Sequence, residues 1–193
     1  MLKFLVCLLQ LIISPAKGWD AIADEDVDPR RLCSEGFYPL IGLVACTVFI
    51  QYFYNSDFKV AWLLQKAVIT FIQYFITYFL ASFIFSLFLS KMTESGEAEE
   101  KRYHTFIIYN LALLGIFQMI NNCLPVEISI FQFLPFFDIF IIWFGIPYLS
   151  IADNKKIMFL ILSVVAIMAP PYILGYLLDG MLPAAPDNMI SNL

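Results

Sequence analysis

The sequence is poor in the residues from which enzyme active sites are built. It contains a single histidine, His104, and its four cysteines form no C-x-x-C pair and have no histidine at metal-ligand spacing. The H-E-x-x-H, G-x-S-x-G and G-x-x-x-x-G-K-S/T signatures are absent. Charged residues make up only 14% of the chain, and the net charge of −5 provides no basic face for nucleic acid. We therefore expect no catalysis, no bound metal or cofactor, no nucleic-acid partner, and four free thiols.

Long apolar segments, by contrast, are abundant. Hydrophobic residues make up 61% of the 193 residues, and the mean hydropathy is +0.81. The longest apolar segment covers residues 60–90, contains Lys66 as its only charged residue, and has neither glycine nor proline. Because a helix rises about 1.5 Å per residue and the hydrocarbon core of a bilayer is about 30 Å thick, roughly twenty apolar residues cross it. The chain is therefore predicted to be an integral membrane protein.

Turn-forming and charged residues divide the apolar part of the chain into five predicted spans. Their approximate bounds are 37–54, 60–90, 104–122, 128–151 and 157–178. The predicted fold is an all-α membrane protein with a five-transmembrane-helix bundle preceded by a short interfacial amphipathic N-terminal helix. It has three parts: a cytoplasmic N-terminal segment at 1–36, the bundle at 37–178, and a polar extracytoplasmic tail at 179–193.

The distribution of lysine and arginine predicts the orientation, because these residues accumulate in cytoplasmic loops. Four precede the first span, three follow the second span, and two follow the fourth span. The other side of the membrane carries Lys59 alone, and an odd number of spans places the termini on opposite sides. We therefore expect a multi-pass protein of the cell membrane with its N-terminus in the cytoplasm and its C-terminus outside.

The first nineteen residues predict a short helix that lies in the membrane surface. The polar residues of this stretch share one helical face: Lys3, Cys7, Gln10, Ser14 and Lys17. The opposite face is apolar, and the helix is too short to span the bilayer. The alternative is a cleaved signal peptide with a weak cleavage site at residues 16–18, but cleavage would export the basic Arg30 and Arg31. Residues 20–36, the most polar segment, are predicted to be an aqueous loop.

Ionisable side chains inside predicted spans are costly and mark candidate functional sites. Asp138 lies midway along the fourth span, and Lys66 lies near the outer end of the second. Their depths differ by about 6 Å, which a lysine side chain can bridge. With Asn110 they form a candidate intramembrane polar site, either a proton- or ion-responsive pair or a structural ion pair. Alternatively, Lys66 extends outward and Asp138 is protonated. We expect Asp138 to face the bundle interior, with Lys66 as its first candidate partner.

Two short motifs resemble those of a known family. An apolar stretch followed by Pro15 and Trp19 opens the chain, and Trp143-Phe144-Gly145-Ile146 lies in the fourth span. With five spans behind a short interfacial helix, this arrangement resembles the Yip1-domain family in its prokaryotic form. The resemblance implies that Pro15, Trp19 and Gly145 are family-motif positions. Eukaryotic relatives carry a longer cytosolic region and are associated with small GTPases, whereas prokaryotic relatives have no assigned role.

The motif also leads to a structural expectation. Pro15 should end the first helix at or before Ser14, because the proline ring disfavours helical geometry in the preceding residue. Trp19 should then anchor the helix to the bundle, with its ring at the level of the lipid headgroups.

The function favoured by these patterns is that of a non-enzymatic membrane scaffold or interaction protein. It would act through contacts with membrane lipid, with protein partners, or with further copies of itself. The alternative is a small transporter or channel whose polar cavity is lined by Lys66, Asp138 and Asn110. The two hypotheses differ in whether these side chains face a hydrated cavity or a sealed packing interface.

Overall fold

The computed structural model describes residues 2–54, 59–93, 99–124 and 133–180. Within these residues the chain is helical, and its only β-type pairing is an isolated bridge between Thr93 and Ile151. The described residues form seven helices. They are α1 (Leu2–Ile13), α2 (Pro15–Glu25), α3 (Pro29–Phe53), α4 (Val60–Lys91), α5 (Glu100–Cys123), α6 (Phe136–Phe144) and α7 (Asp153–Asp179).

Four of these helices, α3, α4, α5 and α7, are long and apolar enough to cross a membrane. Their composition explains why the sequence identified them: each contains an 18-residue window with a mean hydropathy of at least 1.4. The predicted spans 60–90, 104–122 and 157–178 agree with α4, α5 and α7 to within four residues at each end. The prediction of a membrane protein is confirmed at this level.

The start of α3 differs from its prediction. It begins at Pro29, whereas the first span was predicted to begin at residue 37. The Asp28 side chain accepts a hydrogen bond of 2.9 Å from the backbone N–H of Arg30, and Pro29 occupies the first turn of the helix. An aspartate cap followed by proline is a strong signal for a helix start, because both suit the unpaired N–H groups there. The prediction that residues 20–36 form a loop is therefore wrong, since most of them are helical; their aqueous location stays a prediction.

The helices α1 and α2 fold back on each other and form what we call the N-terminal hairpin. Helix α1 ends at Ile13 and α2 begins at Pro15, as the proline predicted. Gly18 allows the two backbones to approach closely, because a Cβ at this position would lie 2.8 Å from the Leu11 Cα atom. Farther from the turn, the Cys7 thiol lies 3.7 Å from a carboxylate oxygen of Glu25.

The predicted fourth span, 128–151, is not a long helix in the described part of the chain. Residues 128–132 lie outside the described residues, and the remainder contains α6, which has only nine residues. A tight helical turn at Pro147–Leu149 follows, and Ser150 has a left-handed backbone conformation with φ of 51°. Helix α6 alone is too short to cross a bilayer. The described residues therefore contain four spanning-length helices, where the sequence predicted five.

Helix α5 forms the centre of the bundle. In its most apolar window 67% of the residues are buried, against 39–50% in the three other long helices. Those three helices instead expose large apolar side chains on their outer faces. Examples are Leu43, Val68, Phe79, Phe83, Ile161, Val165 and Ile173. An apolar outer surface of this extent is what a bilayer covers, whereas soluble proteins rarely expose such surfaces.

The bundle has two chemically different ends. At one end the Lys155 ammonium group donates a hydrogen bond to the Lys91 carbonyl oxygen, next to the Thr93 bridge. We call this the basic end. At the other end, which we call the opposite end, the Tyr54 hydroxyl donates to the carbonyl oxygen of Cys123 at 3.3 Å. The segment after α4 and the segment before α7 therefore meet at the basic end. The C-terminal ends of α3 and α5 meet at the opposite end.

Candidate functional site

The N-terminal hairpin is fixed to the bundle by Trp19. This residue is only 2% exposed, although it lies directly before the polar segment 20–36. Its indole N–H donates a hydrogen bond of 3.0 Å to the Ile141 carbonyl oxygen on α6. Its ring stacks on Phe106 and on Tyr148, with centroid distances of 5.0 and 5.3 Å. The contact thus joins α2 to α6, to the core helix α5 and to the turn that follows α6.

Gly145 makes room for this contact. A Cβ at Gly145 would lie 2.5 Å from Cε2 of Phe106 and 2.9 Å from Cε2 of Trp19. Both rings are buried, so neither could move away at low cost. The Gly145 backbone N–H also donates to the Ile141 carbonyl oxygen, at 3.0 Å. The carbonyl oxygen therefore accepts two hydrogen bonds, one from the end of its own helix and one from Trp19.

Two of the three family-motif positions predicted from the sequence meet in this contact. Trp19 and Gly145 touch, while Pro15 starts α2 and thereby sets where the helix that carries Trp19 begins. The prediction that Trp19 anchors the hairpin to the bundle is confirmed. The ring is enclosed by protein and its N–H donates to a carbonyl oxygen; its position at the level of the lipid headgroups stays a prediction.

The predicted polar site around Asp138 is not assembled as expected. Asp138 faces the bundle interior with 0% exposure, which confirms its predicted direction. However, neither of its carboxylate oxygens has a hydrogen-bond partner among the described residues.

Lys66 pairs with Asp179 and not with Asp138, so the predicted Lys66–Asp138 pair is wrong. Asp179 ends α7 near the start of α4, and both side chains of the pair are partly exposed, at 26% and 37%. A partly hydrated pair loses less solvation than a fully buried one, which explains the choice of partner. Asp179 belongs to residues 179–193, which the sequence predicts to be a polar tail.

Asn110 is also separate from Lys66. Its side chain is fully buried, its amide N–H donates to the Phe106 carbonyl oxygen at 2.7 Å, and its amide oxygen lacks a partner among the described residues. Other polar side chains in the bundle form hydrogen bonds between α3 and α5 or within α5. Asn122 donates to the Thr47 hydroxyl at 3.0 Å and accepts from Gln51 at 3.3 Å and from Gln118 at 3.0 Å.

The cysteines carry no site of their own. All four are free thiols, as the sequence predicted. Burial raises the pKa of the Cys7 thiol, and the negative charge of Glu25 raises it further. Such a thiol stays protonated and unreactive near neutral pH. No group of three or more histidine, cysteine, aspartate or glutamate side chains in the described part of the chain could hold a metal ion.

A cleft of about 490 Å³ opens beside Trp19 at the basic end. Its walls come from α2, from the start of α5, from the end of α6 with the turn after it, and from the start of α7. They are formed by Ala16, Trp19, Asp20, Ala23, Arg102, Trp143, Phe144, Ile146, Pro147, Tyr148 and Lys156. Sequence reasoning missed Asp20, Arg102 and Lys156, because each belongs to a separate polar segment and no spacing relates them.

Comparison with known proteins adds no further constraint on this site. No protein-family model matches the chain, and no curated protein and no solved structure matches it either. The resemblance to the Yip1-domain family therefore rests on the short motifs alone. What can be said of the site comes from its residues and their geometry.

Proposed function

We propose that this chain is a non-enzymatic, multi-pass membrane protein of the Yip1 type that acts as a scaffold for lipid or protein partners at its basic end. The observation that carries the proposal is the contact between Trp19 and Gly145. It joins two motif positions far apart in the chain, and it presents α2 as a rigid surface rather than as a mobile tail. Rigid presentation lowers the entropy lost on binding a partner, so it suits a scaffold.

A fifth, interrupted crossing forms part of this proposal. Cys123 lies at the opposite end, in contact with Tyr54. Tyr148 lies at the basic end, where its carbonyl oxygen accepts a hydrogen bond of 3.2 Å from Arg102. The chain between Cys123 and Tyr148 must travel from one end of the bundle to the other, and it contains α6. Five crossings place the two termini on opposite sides of the membrane.

We assign the basic end to the cytoplasm and the N-terminal hairpin to the membrane surface. The basic residues of the two loops that meet there support this orientation. Helix α1 packs Phe4, Leu8 and Leu11 into the core and exposes Leu2 and Ile13, at 79% and 82%. A short helix with an uncovered apolar face beside a membrane bundle is typical of an interfacial helix. Since the buried residues complete the core, the helix is expected to stay on the mature protein.

A reporter assay tests this topology. A reporter that is active only in the cytoplasm should work when inserted at residues 94–98 and should fail after Leu193. Intact-mass measurement of the protein extracted from membranes should give the full chain. An active reporter after Leu193, or a mature N-terminus near residue 18, would contradict the proposed arrangement.

The second candidate function is that of a small transporter or channel. The observation that favours it is the Asp138 carboxyl group, which is fully buried and has no partner within the described chain. Ionisable groups of this kind inside a membrane often serve proton or ion pathways. Against it, Lys66 belongs to a different ion pair, and Asp138 lines none of the four cavities found at the described residues.

One paired experiment separates the two functions. The full chain is reconstituted in liposomes that contain a pH-sensitive dye, and the same protein is captured from native membranes after chemical cross-linking. For a scaffold, proton flux equals that of empty liposomes, and cross-linked partners are lost with Trp19→Ala but kept with Phe83→Ala, which truncates an exposed ring on α4. Flux that is abolished by Asp138→Asn would establish the transporter instead.

A further inference from the structure

The cleft beside Trp19 carries charges of both signs at defined places. We propose that it binds the headgroup of a glycerophospholipid of the phosphatidylethanolamine type, with the phosphate between Arg102 and Lys156 and the primary ammonium group at Asp20. The inference rests on the proposed function only for placing the basic end at a membrane surface. The binding site itself depends only on the residues that line the cleft.

The two cations of the cleft are available to a phosphate group. Arg102 forms an ion pair of 2.6 Å with Glu99, and Lys156 forms one of 2.5 Å with Asp153. Both acidic side chains are largely exposed, at 65% and 87%, and exposed pairs of this kind contribute little free energy. The Arg102 guanidinium group has five N–H donors. Its contacts with Glu99 and with the Tyr148 carbonyl oxygen leave donors free for a phosphate oxygen.

Asp20 distinguishes this cleft from a simple anion site. It lies on α2 at the wall of the cleft, and it forms no hydrogen bond or ion pair with the rest of the described chain. A carboxylate repels an anionic headgroup but accepts charge-assisted hydrogen bonds from a primary ammonium group. Two cations and one carboxylate around a single cleft therefore match a zwitterionic headgroup better than an anionic one.

A choline headgroup has fewer matching groups in the cleft around Trp19 and Asp20 than an ethanolamine headgroup has. Recognition of a quaternary ammonium group uses open aromatic faces. The ring of Trp19 lies between Phe106 and Tyr148, and the Arg102 guanidinium group lies 5.9 Å from the centroid of the Tyr148 ring. The rings of Trp19 and Tyr148 are thus already in contact with other groups. A trimethylated amine also has no N–H to donate to the carboxylate.

The open side of the cleft suits the lipid chains. Trp143 and Phe144 line it and remain 45% and 36% exposed. Exposed aromatic rings favour the boundary between headgroups and acyl chains, so a bound lipid can keep its tails in the bilayer. A volume of about 490 Å³ falls within the range of about 300–1,000 Å³ that is typical of small-molecule sites.

Native mass spectrometry of the full chain in detergent micelles tests the proposal. Three lipids with identical acyl chains are offered, with ethanolamine, choline or glycerol headgroups. We expect the ethanolamine lipid to be retained most strongly and Asp20→Asn to weaken its binding about threefold to fivefold, because Asp20 is exposed and an exposed ion pair contributes little. Lys156→Gln should weaken all three lipids, since they share the phosphate.

Matched variants control for charge and folding. Asp24→Asn removes one negative charge from the next turn of α2, outside the cleft, and Lys155→Gln removes one positive charge beside Lys156; both variants should bind lipid as the unchanged protein does. Water-soluble glycerophosphoethanolamine should displace the ethanolamine lipid. Equal retention of the three lipids, preference for the glycerol lipid, or an equal loss with Asp24→Asn would overturn the proposal. Because lipid retention and proton flux are measured separately, failure here leaves the test of the scaffold function intact.

Discussion

Trp19 and Asp138 place polar atoms in the same protein interior, but only one of them has a partner. The Trp19 indole N–H donates to the Ile141 carbonyl oxygen at 3.0 Å. The Asp138 carboxyl group, three residues earlier on α6 than Ile141, has no hydrogen-bond partner among the described residues. A buried polar group that is satisfied adds specificity, whereas an unsatisfied one costs stability. Helix α6 therefore carries both the carbonyl oxygen that positions Trp19 and a buried carboxyl group that lowers the stability.

This difference indicates what each residue is for. Trp19 combines apolar stacking with a hydrogen bond, so its contact with the bundle accounts for the position of the hairpin without any ligand. Asp138 does not improve the packing around it, which is the reason to test it for function. Four substitutions compare the two regions, and they are ordered by the size of the expected effect.

Trp19→Ala should have the largest effect. It removes a buried aromatic ring and leaves a cavity between α2, α5 and α6, and such truncations cost about 3 kcal/mol. Thermal unfolding in detergent, read from the tertiary circular dichroism signal, measures the loss. Trp143→Ala is the matched control, because Trp143 is 45% exposed and its truncation creates no interior cavity. Equal losses in both variants would contradict the docking role of Trp19.

Asp138→Leu should change stability in the opposite direction. It replaces an unpartnered buried carboxyl group with an apolar side chain, which should raise the free energy of unfolding by roughly 1–3 kcal/mol. Asp138→Asn should lie close to the unchanged protein, because the amide meets the same apolar surroundings. The same unfolding assay reads both variants. A large loss with Asp138→Leu would show that the carboxyl group does have a partner in the membrane.

Trp19→Phe separates the hydrogen bond from the ring. The phenyl ring keeps most of the stacking on Phe106 and Tyr148 but cannot donate to the Ile141 carbonyl oxygen. That oxygen still accepts from the Gly145 N–H, so no acceptor is left bare. The expected loss is about 1 kcal/mol. A loss as large as that of Trp19→Ala would mean that the hydrogen bond, and not the packing, holds the hairpin.

Lys66→Met should have the smallest effect, at most about 1 kcal/mol. Its partner Asp179 is partly exposed, and ion pairs at such sites contribute little. If Lys66 were instead the partner of the fully buried Asp138, its removal would leave a buried charge and cost about 3–5 kcal/mol. The unfolding assay therefore decides between the two partners. Asp179→Asn should reproduce the small effect.

The sequence predicted the spans well where composition alone decides them. Helices α4 and α7 carry long apolar stretches, and any segment of that length and hydropathy must satisfy its backbone within a helix inside lipid. The prediction from sequence failed where a polar composition and a helix-start signal occur in the same segment. Residues 20–36 look polar and were expected to be a loop, but the Asp28 cap and Pro29 start a helix there. Helix α2 is polar in composition but packs Trp19 and Ile22 into the bundle.

The candidate site was predicted in part. The motif named Trp19 and Gly145, and Asp138 was expected to face inward, since a carboxylate in lipid is costly. Depth along a helix, however, does not determine which neighbour a side chain meets. Lys66 reached Asp179, a residue that the sequence placed outside the bundle. No motif or spacing in the sequence indicated that the residues of the cleft, Asp20 and Arg102 among them, would lie close together.

The sequence by itself determined that this is a helical membrane protein, where most of its spans lie, and which residue types are out of place in them. These properties follow from local composition and from the free energy of transfer into lipid, which each segment carries independently. The tertiary structure decided the partners: Trp19 with Ile141, Lys66 with Asp179, and none for Asp138 among the described residues. Partners depend on how helices rotate and pack against each other, and close packing couples every helix to its neighbours.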